Sequence, residues 1–315
     1  MSDHYLESEA QQMADATAQP PYFYEMTPEQ ARKVLDDLQA APVAKLDADD
    51  TWITVPAEVG DVRVRIVKPA NAPASLPAVL YLHGGGWVLG NAGTHDRLVR
   101  DLAVGADAAV VFVEYDRSPE AQYPVAIEQA YATTQWIVAH GAEQGLDATR
   151  IAVAGDSVGG NMAAAVAIMA KQRGDVTFCN QSLYYPVTDA GQDTASYREF
   201  AEGPFLLAKS MAWFWDAYLP DLDKRTDITA SPLRADTADL AGLPDAFVIV
   251  DENDVLRDEG EAYARKLIEA GVRTTAVRYN ATIHDFMMLN PLRSSAASTG
   301  AIEQAGQILR KAFAA

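Results

Sequence analysis

Residues 151–163, Ile-Ala-Val-Ala-Gly-Asp-Ser-Val-Gly-Gly-Asn-Met-Ala, constrain this chain more than any other stretch. Four apolar residues, Ile151 to Ala154, read as a buried strand, and Asn161 to Lys171, rich in Ala and Met, reads as a helix. Between them Gly155-Asp156-Ser157-Val158-Gly159 matches G-x-S-x-G, in which a strand turns sharply into a helix and carries a serine at the tip of the turn. Side chains two positions either side of the serine would collide with neighbouring backbone, which predicts that Gly155 and Gly159 are sterically required. The same bend sets Ser157 at a helix N-terminus, where unpaired N–H groups favour developing negative charge. The pattern alone is common in turns; the strand before it and the helix after it give it the context of a nucleophile.

The flanking sequence extends this unit into an alternation. Ala78 to Leu82 and Ala109 to Val113 are solid apolar runs, as in strands covered on both faces. Helical spacing appears between them, in Thr94 to Val104 with Leu98, Val99 and Leu102, and again after Pro124, with Ile127, Tyr131, Ile137 and Val138. Phe178 to Tyr185, Ala246 to Val250 and Thr274 to Tyr279 read as further strands, about Asp258 to Ala270 and 295 to 315 as helices. Strand and helix in turn predict an α/β fold, a mainly parallel sheet with helices on both faces. Thr51 to Val55 and Val62 to Val67 alternate apolar with polar residues, as half-exposed antiparallel strands do. Asp258 to Glu261 supplies a capping pattern, so Asp258 is expected to cap its helix.

Two segments break the alternation. Residues 1 to about 25 are polar and give no firm element, but Thr27-Pro28-Glu29-Gln30 is a strong helix start, followed by Ala31, Val34, Leu35 and Leu38 on one face. Residues 186–228 insert a loop, then a helix from about Ala208 to Tyr218 with Met211, Trp213, Phe214, Trp215 and Tyr218. The expected organisation is therefore an α/β domain in two parts, 49–185 and 229–315, with 1–48 and 186–228 forming a cap.

Charge and cysteine content remove whole classes of function. With 44 acidic against 25 basic residues the net charge is −19, which repels a phosphate backbone and argues against nucleic-acid binding. Cys179 is the single cysteine, so neither an intrachain disulfide nor a cysteine-based zinc site can form. The acidic N-terminus lacks the basic start and apolar run of a secretory signal, and no apolar stretch approaches ~20 residues, so no membrane span and a cytoplasmic location are expected.

A serine hydroxyl near neutral pH needs a base in hydrogen-bond reach, and the base needs an orienting carboxylate. Of five histidines, His4 lies in the polar tail, His95 and His140 at helix margins, and His83 begins a glycine run. His284 remains, in a loop just after the strand Thr274 to Tyr279, at the carboxyl edge where open α/β sheets place their sites. After the strand Ala246 to Val250, Asp251, Glu252 and Asp254 could each supply the carboxylate; the chain order serine, acid, histidine is met by 157, 254, 284. His83-Gly84-Gly85-Gly86-Trp87, directly after Ala78 to Leu82, can turn backbone N–H groups toward an oxyanion, with the amide of Val158 as a further donor. It lacks the lysine and spacing of a phosphate loop.

HGGGW at 83–87, GDSVGGN at 155–161, DVLRDEG at 254–260 and IHDF at 283–286, in that order, resemble the hormone-sensitive-lipase-like branch of the α/β-hydrolases, the bacterial family IV esterases. The resemblance runs from about residue 50 to the end. It implies a Ser157–His284–Asp254 triad, an oxyanion hole of the Gly85, Gly86 and Val158 amides, a cap from the two segments set apart above, and often a homodimer. It implies hydrolysis of a small-molecule ester, with no cofactor and no metal. Trp87, Asp156, Phe205, Leu206, Phe214 and Met287 are the expected lining of a pocket for short or medium acyl chains. Two positions depart from the family pattern: Val158, where Ala is usual, and Asp285, where Gly is common. Amidase or other acyl-hydrolase activity, and a binding role without catalysis, stay open at this stage; retention of His284 counts against the last.

Overall fold

The computed structural model describes residues 5–315, so His4 lies outside the described residues. The chain runs α1 (Ser8–Thr17), α2 (Pro28–Gln39), β1 (Ala48–Val55), β2 (Val62–Pro69), β3 (Leu76–Leu82), α3 (Asp96–Ala106), β4 (Ala109–Glu114), α4 (Val125–His140), β5 (Leu146–Asp156), α5 (Val158–Arg173), β6 (Asn180–Tyr184), α6 (Ala195–Glu199), α7 (Ala208–Tyr218), α8 (Thr237–Leu240), β7 (Asp245–Asn253), α9 (Arg257–Glu269), β8 (Thr274–Ile283) and α10 (Ala296–Phe313). The strands form one sheet in the order β1-β2-β4-β3-β5-β6-β7-β8. Pairings β1·β2 and β2·β4 are antiparallel, and every pairing from β4 through β8 is parallel. This is the α/β architecture the alternation predicts, with helices on both sides of the sheet.

Burial follows the patterning. Every residue of β3 is buried, whereas β1 at the sheet edge leaves most of its residues exposed. Helix α5 is buried from Val158 to Ala170 without an exposed face, because small alanines and glycines let it sit directly on β5 and β6 beside α4. On the other side α3 and α10 cross closely: a Cβ on Gly306 would lie 2.8 Å from the Gly105 backbone. Helix α2 begins as its sequence predicts, with Thr27 and Gln30 closing a reciprocal capping box.

Several expectations need correction. Helix α1 forms in the stretch that gave no firm element, docking Ala10 and Met13. Helix α9 starts at Arg257 with Leu256 at its N-cap and no side-chain cap, so Asp258 does not cap it. Asp258 instead accepts from the Ser196 N–H at 2.8 Å and pairs with Arg257 at 2.9 Å, tying α6 to α9. Strand β8 runs past Tyr279 to Ile283, so the turn that carries His284 begins four residues later than expected.

The N-terminal segment is fastened to the rest of the chain at buried points. The Gln39 side chain donates to Thr94 O at 2.7 Å and to Met288 O at 2.9 Å, and accepts from the Asn290 N–H at 2.8 Å. Glu7 N–H donates to Ala281 O at 2.8 Å. No helix among the described residues is long and apolar enough to cross a membrane.

Candidate active site

Three parallel strands end one residue short of the three side chains singled out above. Strand β5 ends at Asp156 before Ser157, β7 at Asn253 before Asp254, and β8 at Ile283 before His284. Parallel pairing of β5, β6, β7 and β8 puts all three ends on one edge of the sheet. Ser157 Oγ lies 2.9 Å from His284 Nε2, and His284 Nδ1 lies 2.7 Å from Asp254 Oδ2. All three are buried, at 3%, 2% and 1% exposure, so their mutual attraction is little screened by water. Asp254 is held in turn by the Leu256 N–H at 3.1 Å.

The turn at Ser157 is strained in the manner its pattern implies. Its φ of 56° lies in the left-handed region, with ψ −121°. A Cβ on Gly155 would come within 2.3 Å of Gly159 backbone, and one on Gly159 within 1.9 Å of Leu82 O. Both glycines are therefore required by close approach between the elbow and β3.

The glycine run that follows β3 lies beside this elbow. A Cβ on Gly84 would meet Ser157 Cβ at 3.1 Å. Gly85 and Gly86 take φ of 106° and 63°, and among the described residues no acceptor is found for their N–H groups. Val158 opens α5, so its N–H also has no intrahelical acceptor. The ring of Phe214, from α7, closes over the run: a Cβ on Gly86 would lie 2.1 Å from its Cδ1.

Beneath the glycine run sits a buried polar cluster that sequence spacing does not reveal. Asp156 accepts from Tyr81 Oη at 2.6 Å and lies 3.2 Å from His95 Nε2. Burial disfavours the Asp156 carboxylate, but His95 and Tyr81 outweigh it and its pKa falls; His95 rises for the reciprocal reason. Burial and the His95 charge push His83 down to about 3, leaving a neutral ring stacked on Tyr115 at 4.2 Å. Asp156, expected to line a pocket, thus has both oxygens committed to Tyr81 and His95 and supports the floor of the site.

The other expected lining residues separate into two groups. Phe214 is buried against Gly86 and reaches Phe23 of the N-terminal segment at 6.3 Å between ring centroids. Phe205, half-buried with φ 64°, and Leu206 belong to the same inserted segment. Trp87 is fully buried, stacked on Tyr218 at 4.1 Å, and Met287 is fully buried in the core, so both lie in packed surroundings. Cys179 is half-buried, and burial raises its thiol pKa, which suits the inert role its apolar surroundings suggest.

Around these side chains Tyr185 and Glu259 escaped sequence reasoning, and Asp251 entered it only as one of three candidate acids. Tyr185, with φ 38°, sets its ring edge-on to the imidazole at 5.1 Å. Asp251 is fully buried, and among the described residues neither of its carboxylate oxygens has a hydrogen-bond partner. Burial and the Asp254 charge push its pKa well up. Asp251, Asp254 and His284 cluster tightly, and the strand-end acids were the available signal. Glu259, within the DVLRDEG stretch, accepts from the Thr188 and Asp189 N–H groups at 2.6 and 3.2 Å and fixes the loop after β6.

Residues 79–288 match the family model described as the alpha/beta hydrolase fold. The esterase LipI of Mycobacterium tuberculosis is 41% identical over 263 residues, covering 82% of this chain and 81% of its own. An ethyl acetate hydrolase of Pseudomonas putida is 34% identical over 270 residues, 84% of each chain. The crystal structure of a thermostable esterase from Pseudomonas putida ECU1011 superposes with a TM-score of 0.97 at 47% identity, covering 99% of both chains. The chain belongs to the α/β-hydrolase fold family, in its hormone-sensitive-lipase-like branch.

Proposed function

We propose that this chain, a carboxylic ester hydrolase, cleaves esters of short and medium acyl chains through an acyl-enzyme on Ser157. The observation that carries the reading is the continuous line Ser157 Oγ, His284 Nε2, His284 Nδ1, Asp254 Oδ2, with steps of 2.9 and 2.7 Å at its two hydrogen bonds. Neutral His284 takes the Ser157 proton as the oxygen attacks the ester carbonyl, and Asp254 holds the ring and stabilises its charged form. The imidazolium returns that proton to the departing alcohol. Water, deprotonated by the same ring, then releases the acid. The Gly85, Gly86 and Val158 N–H groups serve as oxyanion donors; each such donor is worth ~3–4 kcal/mol of barrier. The described part of residues 1–48 forms a cap with 186–228 in this reading, and Phe23 lies against Phe214 where the two parts meet.

Chain length is limited by bulk around the serine. The branched Val158 crowds the acyl side, and Phe214 covers Gly86. The name of the Pseudomonas putida relative, an ethyl acetate hydrolase, accords with a small acyl group. The test is a series of p-nitrophenyl esters of graded length with wild type and Ser157→Ala. Turnover that collapses in the variant and declines beyond about ten carbons is the expected result. Turnover surviving in Ser157→Ala, or rates still climbing with longer chains, would overturn it.

A further inference from the structure

The His284 imidazole has a carboxylate at both nitrogens. Asp254 faces Nδ1 at 2.7 Å, and Asp285 Oδ1 lies 3.4 Å from Nε2, the nitrogen that faces Ser157. Among the described residues Asp285 Oδ1 has no hydrogen-bond partner although it is buried, and its backbone is left-handed at φ 65°. That conformation costs most L-residues about 1–2 kcal/mol and is best tolerated by Gly, Asn and Asp. The position thus holds an acid where glycine would relax the backbone, and among the described residues no N–H donates to that acid.

The surroundings leave His284 as its principal cationic partner. From β7 and its end come Asp251 and Asp254, from the end of β6 Tyr185, and from β5 Asp156 and then Ser157. His95 is engaged with Asp156, and Arg97 with Asp101, Met287 O, Met288 O and Asn290. Burial works against a charged imidazole, but Asp254 and then Asp285 outweigh it and raise its pKa; burial raises that of Asp285.

We propose that Asp285 is a positioning residue for the base, a second carboxylate that stabilises the His284 imidazolium from its Nε2 side and moves the enzyme's working range toward alkaline pH. The inference rests on the assignment of Ser157, His284 and Asp254 as the catalytic set. Because the proton removed from Ser157 resides on Nε2, the charge formed there meets Asp285 without any group having to move. The same attraction keeps the free base protonated until a higher pH, so neutral His284 becomes available later in a titration.

The test is the pH profile of kcat/KM for p-nitrophenyl acetate in wild type, Asp285→Asn and Asp285→Gly. Both variants fit a left-handed backbone, and Asn also retains the side-chain shape. The expected result is an acid limb displaced downward by about one pH unit or more in both, the usual scale for removing a nearby opposite charge. A companion NMR titration of the His284 ring, in Ser157→Ala and in Ser157→Ala/Asp285→Asn, should move by the same amount independently of turnover. If Ser157→Ala or His284→Ala retained full turnover, the catalytic assignment would fail and this inference with it. If those variants were inactive but the limb and the ring titration stayed within a few tenths of a unit, the assignment would stand and the role of Asp285 would be overturned. A uniform loss of rate at every pH would likewise mark Asp285 as purely structural.

Discussion

Substituting Gly86 by Ala tests the geometry of the glycine run directly. The new Cβ would lie 2.1–2.4 Å from three atoms of the Phe214 ring, where carbon atoms rest at about 3.5–4.0 Å, so the overlap is roughly 1.1 Å or more. Gly86 also has φ 63°, which adds about 1–2 kcal/mol for an L-residue. Overpacking against a buried ring costs a further ~1–3 kcal/mol, giving a loss of roughly 2–5 kcal/mol if the loop stays in place. The chain has an alternative, to displace the loop and with it the Gly86 N–H. A lost oxyanion donor lowers kcat by about 10²–10³-fold. We therefore expect Gly86→Ala to lose activity on that scale on p-nitrophenyl acetate, with a lowered thermal midpoint. Phe214→Ala removes the atoms that clash, so the double variant should lose less than the sum of the single losses, by about 1–3 kcal/mol of coupling. A Gly86→Ala enzyme within tenfold of wild type in kcat/KM would refute the donor role. Strict additivity with Phe214→Ala would refute the contact.

Asp96 is met by Lys45, Arg65 and Arg100 at 2.7, 2.7 and 3.0 Å, and although burial opposes it, these cations lower its pKa from 3.8 to about 2. A depressed carboxylate contributes stability above its unfolded pKa that is lost as pH falls through the folded one. Asp96→Asn should thus cost up to about 2 kcal/mol at pH 7, less what the exposed Lys45 loses to solvent, with the gap closing between about pH 4 and pH 2 in urea titrations. Asp251 has the opposite sign: its raised pKa favours folding below the unfolded value and loses that advantage as pH rises. Asp251→Asn should melt higher than wild type at pH 8, the difference shrinking toward pH 4; a lower melting point at pH 8 would sink this reading.

What the sequence discloses and what it conceals divide along physical lines. The elbow was readable because its glycines answer a local steric demand, and the buried strands because residues covered on both faces have no polar positions. His284 was readable because chain order and the strand edge constrain where a base can come from. Asp254 was separable from Asp251 and Glu252 only by the family resemblance, because all three acids lie between Ser157 and His284 in the chain. Partners distant in sequence left no local mark: the Asp156–His95 pair spans 61 positions, and His95 reads as an ordinary residue at a helix margin. Asp258 was misread because a capping pattern competes with tertiary partners, here Ser196 and Arg257. Helix α1 went unseen because its polar surface outweighs the two residues it buries, Ala10 and Met13.

Gln39 joins α2 to the turn before α3 and to the segment just past His284 within a single side chain. Such a joint transmits load: an excursion of the N-terminal helix pulls on the peptide bonds that seat the imidazole. Exchange of N-terminal segments between related esterases would then alter the rate-pH behaviour as well as the choice of substrate. A graft that ends before Gln39 leaves that joint with the host, whereas one that ends after it imports the donor's.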